Sequence, residues 1–137
     1  MWWTYALLSA AFAALTAIFA KIGIKGVNSD LATAVRTVVI LFIAWVIVFA
    51  RGNGKDLATL TKENYLFLIL SGIATGLSWI FYFKALSVGD VSKVAPIDKL
   101  SVAFAIILAA IFLREAITIK TAIGAALIIG GSLVLIF

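Results

Sequence analysis

The sequence predicts an all-α integral membrane protein with five transmembrane helices. Three observations predict it: five apolar runs of membrane length, a hydrophobic share of 65% over 137 residues, and a charged share of only 12%. The mean hydropathy of +1.24 lies far from that of a soluble domain, in which roughly a quarter of the residues are charged. A membrane helix needs about 20 apolar residues, because each adds about 1.5 Å to a path of about 30 Å through hydrocarbon. The runs 2–22, 31–50, 65–86, 94–113 and 118–137 meet that length, so 1–137 reads as a single transmembrane domain. Lipid offers no partner to an unpaired backbone amide or carbonyl, and continuous apolar runs must therefore close their hydrogen bonds internally, as helices; barrel strands would alternate.

Each run carries its own boundary signals. Trp2 and Trp3 open the first, where indole rings suit the membrane interface. No basic segment precedes them, so the first helix serves as its own insertion signal rather than as a cleaved peptide. Asn28, Ser29 and Asp30 precede the second run and offer side-chain oxygens to the free amides of its first turn. Gly52, Asn53 and Gly54 read as a turn, and Thr61 with Glu63 as the cap of the third run. Ser92 followed by Pro96 fits the first turn of the fourth, where proline's missing amide costs little. Five spans place the two termini on opposite sides of the membrane.

Composition also excludes function classes. The chain has neither cysteine nor histidine, which removes disulfides, thiolate nucleophiles, thiolate metal sites and the side chain best suited to proton transfer near neutrality. No phosphate loop, hydrolase constellation or metal-ligand cluster is present, so no catalytic residue, metal or cofactor is expected and an enzyme is not. The net charge of +5 comes from Lys and Arg at the ends of apolar runs rather than on one polar face. These are membrane-boundary charges, and the expected partners are the lipid bilayer and a small-molecule substrate, not nucleic acid.

Within the runs, Ser71, Thr75, Ser78 and Tyr82 lie at offsets of 4, 7 and 11 residues and so share one narrow helical face, flanked by Trp79. Hydroxyls beside an aromatic ring suit a small-molecule cavity, although Ser and Thr also serve as interhelical hydrogen-bonding groups. Tyr5, Ser9, Phe12 and Thr16 repeat the pattern in the first run, with Tyr5 also suited to the interfacial belt. Tyr5, Ser9, Ser71, Thr75, Ser78, Trp79, Tyr82, Asp98 and Ser101 are accordingly the candidate substrate-binding residues.

A charge inside a span is a functional candidate by default. Asp98 lies about one turn into the fourth run, on one face with Ser101, Val102 and Ala105, and is the only carboxylate away from a loop. The competing reading is a first-turn acid favoured by the helix dipole and paired with Lys99 or Lys93. Arg36, about one turn inside the second run, either snorkels to the interface or pairs with Asp98. Asp98, Arg36 and Lys99 are thus the candidates for coupling or charge pairing, and Lys84 reads as an interfacial anchor. Gly72 with Gly76, and Gly124 with Gly131, mark smooth stripes for dimer or helix packing.

From Val94 to Phe137 the sequence resembles the end of an EamA-type repeat of the drug/metabolite transporter superfamily. The resemblance is carried by Val94-Ala95-Pro96 opening a helix, Phe112-Leu113-Arg114-Glu115 closing it, and Gly124, Leu127, Ile128 and Gly131 in the next span. Tyr82-Phe83-Lys84-Ala85-Leu86 is similar to the family as well, and helix count and order extend the likeness over most of the chain. Family members often carry Gly before the Glu and a basic residue after it; here Arg114 precedes Glu115 and Ala116 follows. The resemblance implies an export or exchange carrier for small metabolites or organic compounds, usually built from ten helices as two inverted five-helix repeats. The cavity of that fold is lined mainly by the first, third and fourth helices.

One such repeat would need a second, inverted copy for alternating access. Orientation follows the Lys and Arg bias of short loops. One side carries Arg51, Lys55, Lys62, Arg114 and Lys120, and the other Lys21, Lys25, Arg36, Lys84, Lys93 and Lys99. Five against six favours neither orientation, and the expected functional unit is an antiparallel homodimer with dual topology in the cell (plasma or inner) membrane of a prokaryote. A small ion channel and an accessory subunit without transport of its own are the alternatives. A channel would need a continuous polar line through the membrane, whereas the stripes here are hydroxyl and aromatic.

Overall fold

A computed structural model describes residues 1–137. It is all-helical: α1 (Trp2–Gly23), α2 (Ser29–Ala50), a 3-10 helix (Asn53–Thr59), α3 (Lys62–Val88), α4 (Val91–Asp98), α5 (Leu100–Phe112) and α6 (Ile119–Ile136). Five helical segments are long and apolar enough to cross a membrane, with Val91–Phe112 counting as one.

Local chemistry explains the boundaries. The Asn28 side chain accepts hydrogen bonds from the amides of Asp30 and Leu31, so α2 begins at Ser29, two residues earlier than the apolar run. At the start of α3 the partner of Thr61 is Asn64, not Glu63. The Thr61 amide and hydroxyl both donate to Asn64 Oδ1, at 3.0 and 2.7 Å, and the Asn64 amide donates back to Thr61 Oγ1. This reciprocal arrangement satisfies two otherwise free amides. Thr118 caps α6 by accepting from the Thr121 amide. After α2 the chain does more than turn: Gly52 adopts φ +73° and leads into the 3-10 helix, which the Tyr65 hydroxyl ties to α3 through the Leu57 carbonyl.

The fourth span departs most from the sequence expectation. It begins at Val91, after Asp90, so Pro96 lies inside α4 rather than in its first turn, and Ser92 is helical rather than a cap. A proline there has no amide to give the carbonyl four residues back. Just beyond it the bonding tightens: the Lys99 amide is shared between the carbonyls of Ala95 and Pro96, and the Val102 amide donates to the Lys99 carbonyl. Such three-residue spacing is 3-10 in character and divides the span into α4 and α5 at Lys99.

The chain divides into two compact units. In the first, Met1–Lys21 with Val88–Phe137, both α4 and α5 pack on α6, and Ala17, Val94, Ala103 and Ser132 are buried. Lys21 Nζ donates to the Gly89 carbonyl at 2.8 Å, tying the end of α1 to the segment before α4. In the second, Ile22–Ser87, the 3-10 helix packs on α2, Trp45 stacks on Phe49, and Ile24, Thr33, Phe83 and Leu86 are buried. Those eight residues are all that is buried, while side chains such as Phe12, Phe42, Leu68 and Phe104 stand open. Apolar surface on that scale is compatible with water only when lipid covers it.

Arg114 closes α5 in the left-handed region, at φ +57°, where glycine is the usual residue. The turn brings the Glu115 amide back to the Ala109 carbonyl, which the Leu113 amide also reaches. A side chain in this conformation costs about 1–2 kcal/mol, and glycine returns part of that gain as unfolded-state entropy, about 0.5–1 kcal/mol. Arg114→Gly is therefore expected to stabilise the detergent-solubilised protein by roughly 0.5 kcal/mol, and Arg114→Val, β-branched at positive φ, to destabilise it. Thermal midpoints of the three proteins check this, and equal midpoints would refute it.

Candidate functional site

The second unit gathers the densest set of candidate residues on α2 and α3. On α3, Ser71, Thr75 and Ser78 are exposed along one face, and Trp79 and Tyr82 are half-buried beside them. The Thr75 hydroxyl donates to the Ser71 carbonyl of its own helix at 2.9 Å. A hydroxyl bound to its own backbone still presents oxygen lone pairs to a solute.

Arg36 reaches this face from α2. Its guanidinium carbon lies 4.3 Å from the centre of the Trp79 ring and 5.1 Å from that of Phe83. Trp79 and Phe83 are one helical turn apart and so present adjacent rings to one cation. Tyr82 meets Phe83 edge-on, with ring centres 6.4 Å apart. Each cation–ring contact contributes about 0.5–2 kcal/mol according to its desolvation, which offsets much of the roughly 2.5–3.5 kcal/mol that an arginine costs within a span. Guanidinium Nη1 is buried and has no acceptor. On the helix behind it, the Thr33 and Thr37 hydroxyls donate to the carbonyls of Ser29 and Thr33. Within its unit Arg36 thus rests on aromatic faces. In the sequence Phe83 stands within a family-like motif and not among the site candidates; the signal for its contact is an aromatic pair four residues apart in α3 and a lone arginine in α2.

The remaining candidates belong to the first unit. Tyr5 and Ser9 are exposed on α1, and the Thr16 hydroxyl donates to the Phe12 carbonyl. Asp98 is the last residue of α4, directly before the break, rather than a residue of the first turn; its carboxylate pairs with Lys99 at 3.2 Å, and Ser101 is exposed. A groove of about 320 Å³ between α5 and α6 has Glu115 as its one charged wall, with Thr121 and the small residues Ala105 and Ala109. The sequence reading missed Glu115 because it treated the carboxylate only as a loop signature. An added methyl at Gly72, Gly76, Gly124 or Gly131 would meet nothing within 4 Å, so none of the four is a close packing contact within its unit.

The comparisons agree with this architecture. The EamA-like transporter family model matches residues 1–137, and the chain belongs to that family. It is similar to a Sinorhizobium protein described as an uncharacterized transporter in the cobO 3′ region, with 49% identity over 134 residues, covering 98% of this chain and 95% of that one. No solved structure matches. Five membrane-length helices and this membership define a multi-pass membrane protein of a transporter family.

The reading of the Ser71–Tyr82 face as lining a water-filled cavity makes a direct prediction. Ser78→Cys should react rapidly with a small charged methanethiosulfonate reagent, whereas Ile73→Cys, about 140° around the same helix, should react slowly and be labelled from the lipid phase. Equal labelling by aqueous and lipid-phase reagents at the two positions would remove the cavity.

Proposed function

We propose that this protein is a secondary carrier that exports or exchanges a small metabolite or organic compound by alternating access across an antiparallel homodimer in a prokaryotic cell membrane. The observation that carries the reading is α3, where a stripe of hydroxyl residues runs beside the two aromatic rings that carry Arg36, in a five-span chain of the EamA-like transporter family. A solute site of this kind combines apolar walls with a few placed polar groups. Flux of a metabolite panel into liposomes containing only the purified chain tests it, and absence of any flux would favour an accessory subunit.

Alternating access in this architecture turns on two halves of opposite orientation. A parallel pair of five-span chains cannot supply them, and an antiparallel pair does. The near balance of Lys and Arg, five against six, is consistent with insertion in both directions, and omitting the deeper Arg36 and Lys99 leaves five against four. Asn53→Cys, at the start of the 3-10 helix, should therefore be modified by an impermeant maleimide from both sides of intact membranes. Modification from one side alone would exclude dual topology.

Proton coupling, where present, is assigned to Asp98, the carboxylate at the break between α4 and α5. Its pairing with Lys99 is half exposed and of the kind contributing about 1 kcal/mol or less, so a proton or substrate can displace it. Asp98→Asn should abolish the dependence of transport on a pH gradient while leaving counterflow exchange. Undiminished gradient-driven transport by the variant would instead indicate facilitated exchange without protons.

A further inference from the structure

We propose that Arg36, seated on Trp79 and Phe83, is an oxyanion-binding site, so that the solute handled by this protein carries a carboxylate or phosphate group. The inference rests on the carrier reading above and adds the substrate's charge class to it.

Depth is the first ground. Arg36 lies seven residues beyond Ser29 at the start of α2, and Trp79 and Phe83 lie nine and five residues before Val88 at the end of α3. At about 1.5 Å per residue, the α carbons of Arg36, Trp79 and Phe83 lie about 8–14 Å along their helices from those ends. At that position the guanidinium lies over two rings, 4.3 and 5.1 Å from their centres.

Incomplete compensation is the second ground. The rings offer their negative faces to the charge but accept no in-plane hydrogen bonds from the fork. Nη1 is buried without an acceptor. The carboxylates of the second unit, Asp30, Asp56 and Glu63, lie in the first turns of their helices, and none forms an ion pair with Arg36. A half-buried cation with no counter-ion in its own unit and an unfilled set of acceptors on its buried nitrogen is costly unless an anion completes it for part of the working cycle. The planar guanidinium fork suits a carboxylate or phosphate, which accepts two parallel hydrogen bonds from its edge while its faces stay against the rings. Ser78 precedes Trp79 and Tyr82 precedes Phe83 on α3, so hydroxyl-bearing residues neighbour both ring positions in the sequence.

The test uses the full chain in phosphatidylcholine vesicles, with tryptophan fluorescence as the readout and acetate, benzoate, succinate and inorganic phosphate as probes, against benzylamine as a cation of benzoate's size. At least one anion should change the fluorescence saturably, and Trp79→Phe should remove most of the change. Arg36→Gln should weaken that anion about tenfold or more while Arg36→Lys keeps part of the affinity, the loss expected for a charge-assisted hydrogen-bonding group. No response to any of the four anions, or equal responses of wild type and Arg36→Gln, overturns the inference. Phosphatidylglycerol in the vesicles separates the two sources of phosphate: a response to that lipid alone would assign the site to a headgroup and overturn the solute assignment. Counterflow in the same vesicles keeps the two readings apart. Benzylamine flux without anion binding refutes the oxyanion site and leaves the carrier standing, whereas anion binding without flux of any solute supports the site and removes the carrier.

Discussion

In hydrocarbon every backbone amide and carbonyl has to find its partner within the protein, and this constraint shapes the chain from end to end. It is met by helices of membrane length, with capping side chains placed where a helix begins and its first amides are free. Asn28, the Thr61–Asn64 pair and Thr118 each stand at such a point and close those amides locally. Where the constraint is relaxed, the structure changes character. Pro96, the sixth residue of the 22-residue fourth span, withdraws one amide, the bonding beyond it tightens to three-residue spacing, and Asp98 and Lys99 fall at the junction. An interrupted helix beside an ionisable pair is a common way for a membrane protein to place exchangeable polar groups at depth.

The second consequence concerns charge. A low-dielectric surrounding penalises an isolated cation, and within its unit Arg36 meets ring quadrupoles rather than a carboxylate. Two rings one turn apart form a platform that holds the guanidinium without neutralising it. A carboxylate in the same place would fix the charge permanently in a pair, whereas an aromatic platform leaves it able to attract an anion. The hydroxyls of Thr33, Thr37 and Thr75 bond to backbone carbonyls of their own helices, so they lower the polarity of the span without locking helices together.

Family membership and geometry bear on different levels of function. The match over the whole chain defines the transporter class, and the departure at Arg114 acquires a physical meaning from the backbone. The residue before Glu115 is in a left-handed conformation, which accounts for glycine as the common choice there and for the strain that an arginine carries. The surface stays lined with large apolar side chains, and the glycine faces of α3 and α6 have room for an approaching helix.

The sequence by itself determined the five spans and their helical character, because apolar run length and the backbone's need for internal hydrogen bonds are local properties. It also determined the cap at Asn28 and the shared face of Ser71, Thr75, Ser78 and Tyr82, since helical periodicity follows from spacing alone. Tertiary structure decided what spacing cannot express: that Arg36 lies over Trp79 and Phe83, residues more than 40 positions away, and that the Glu115 carboxylate walls a groove between two helices. It likewise decided the break at Lys99, because the effect of Pro96 depends on where the helix begins, and it begins at Val91, ahead of the apolar run. Contacts between helices depend on rotation and crossing, which a one-dimensional pattern leaves free, whereas the helices themselves depend only on residues a turn apart.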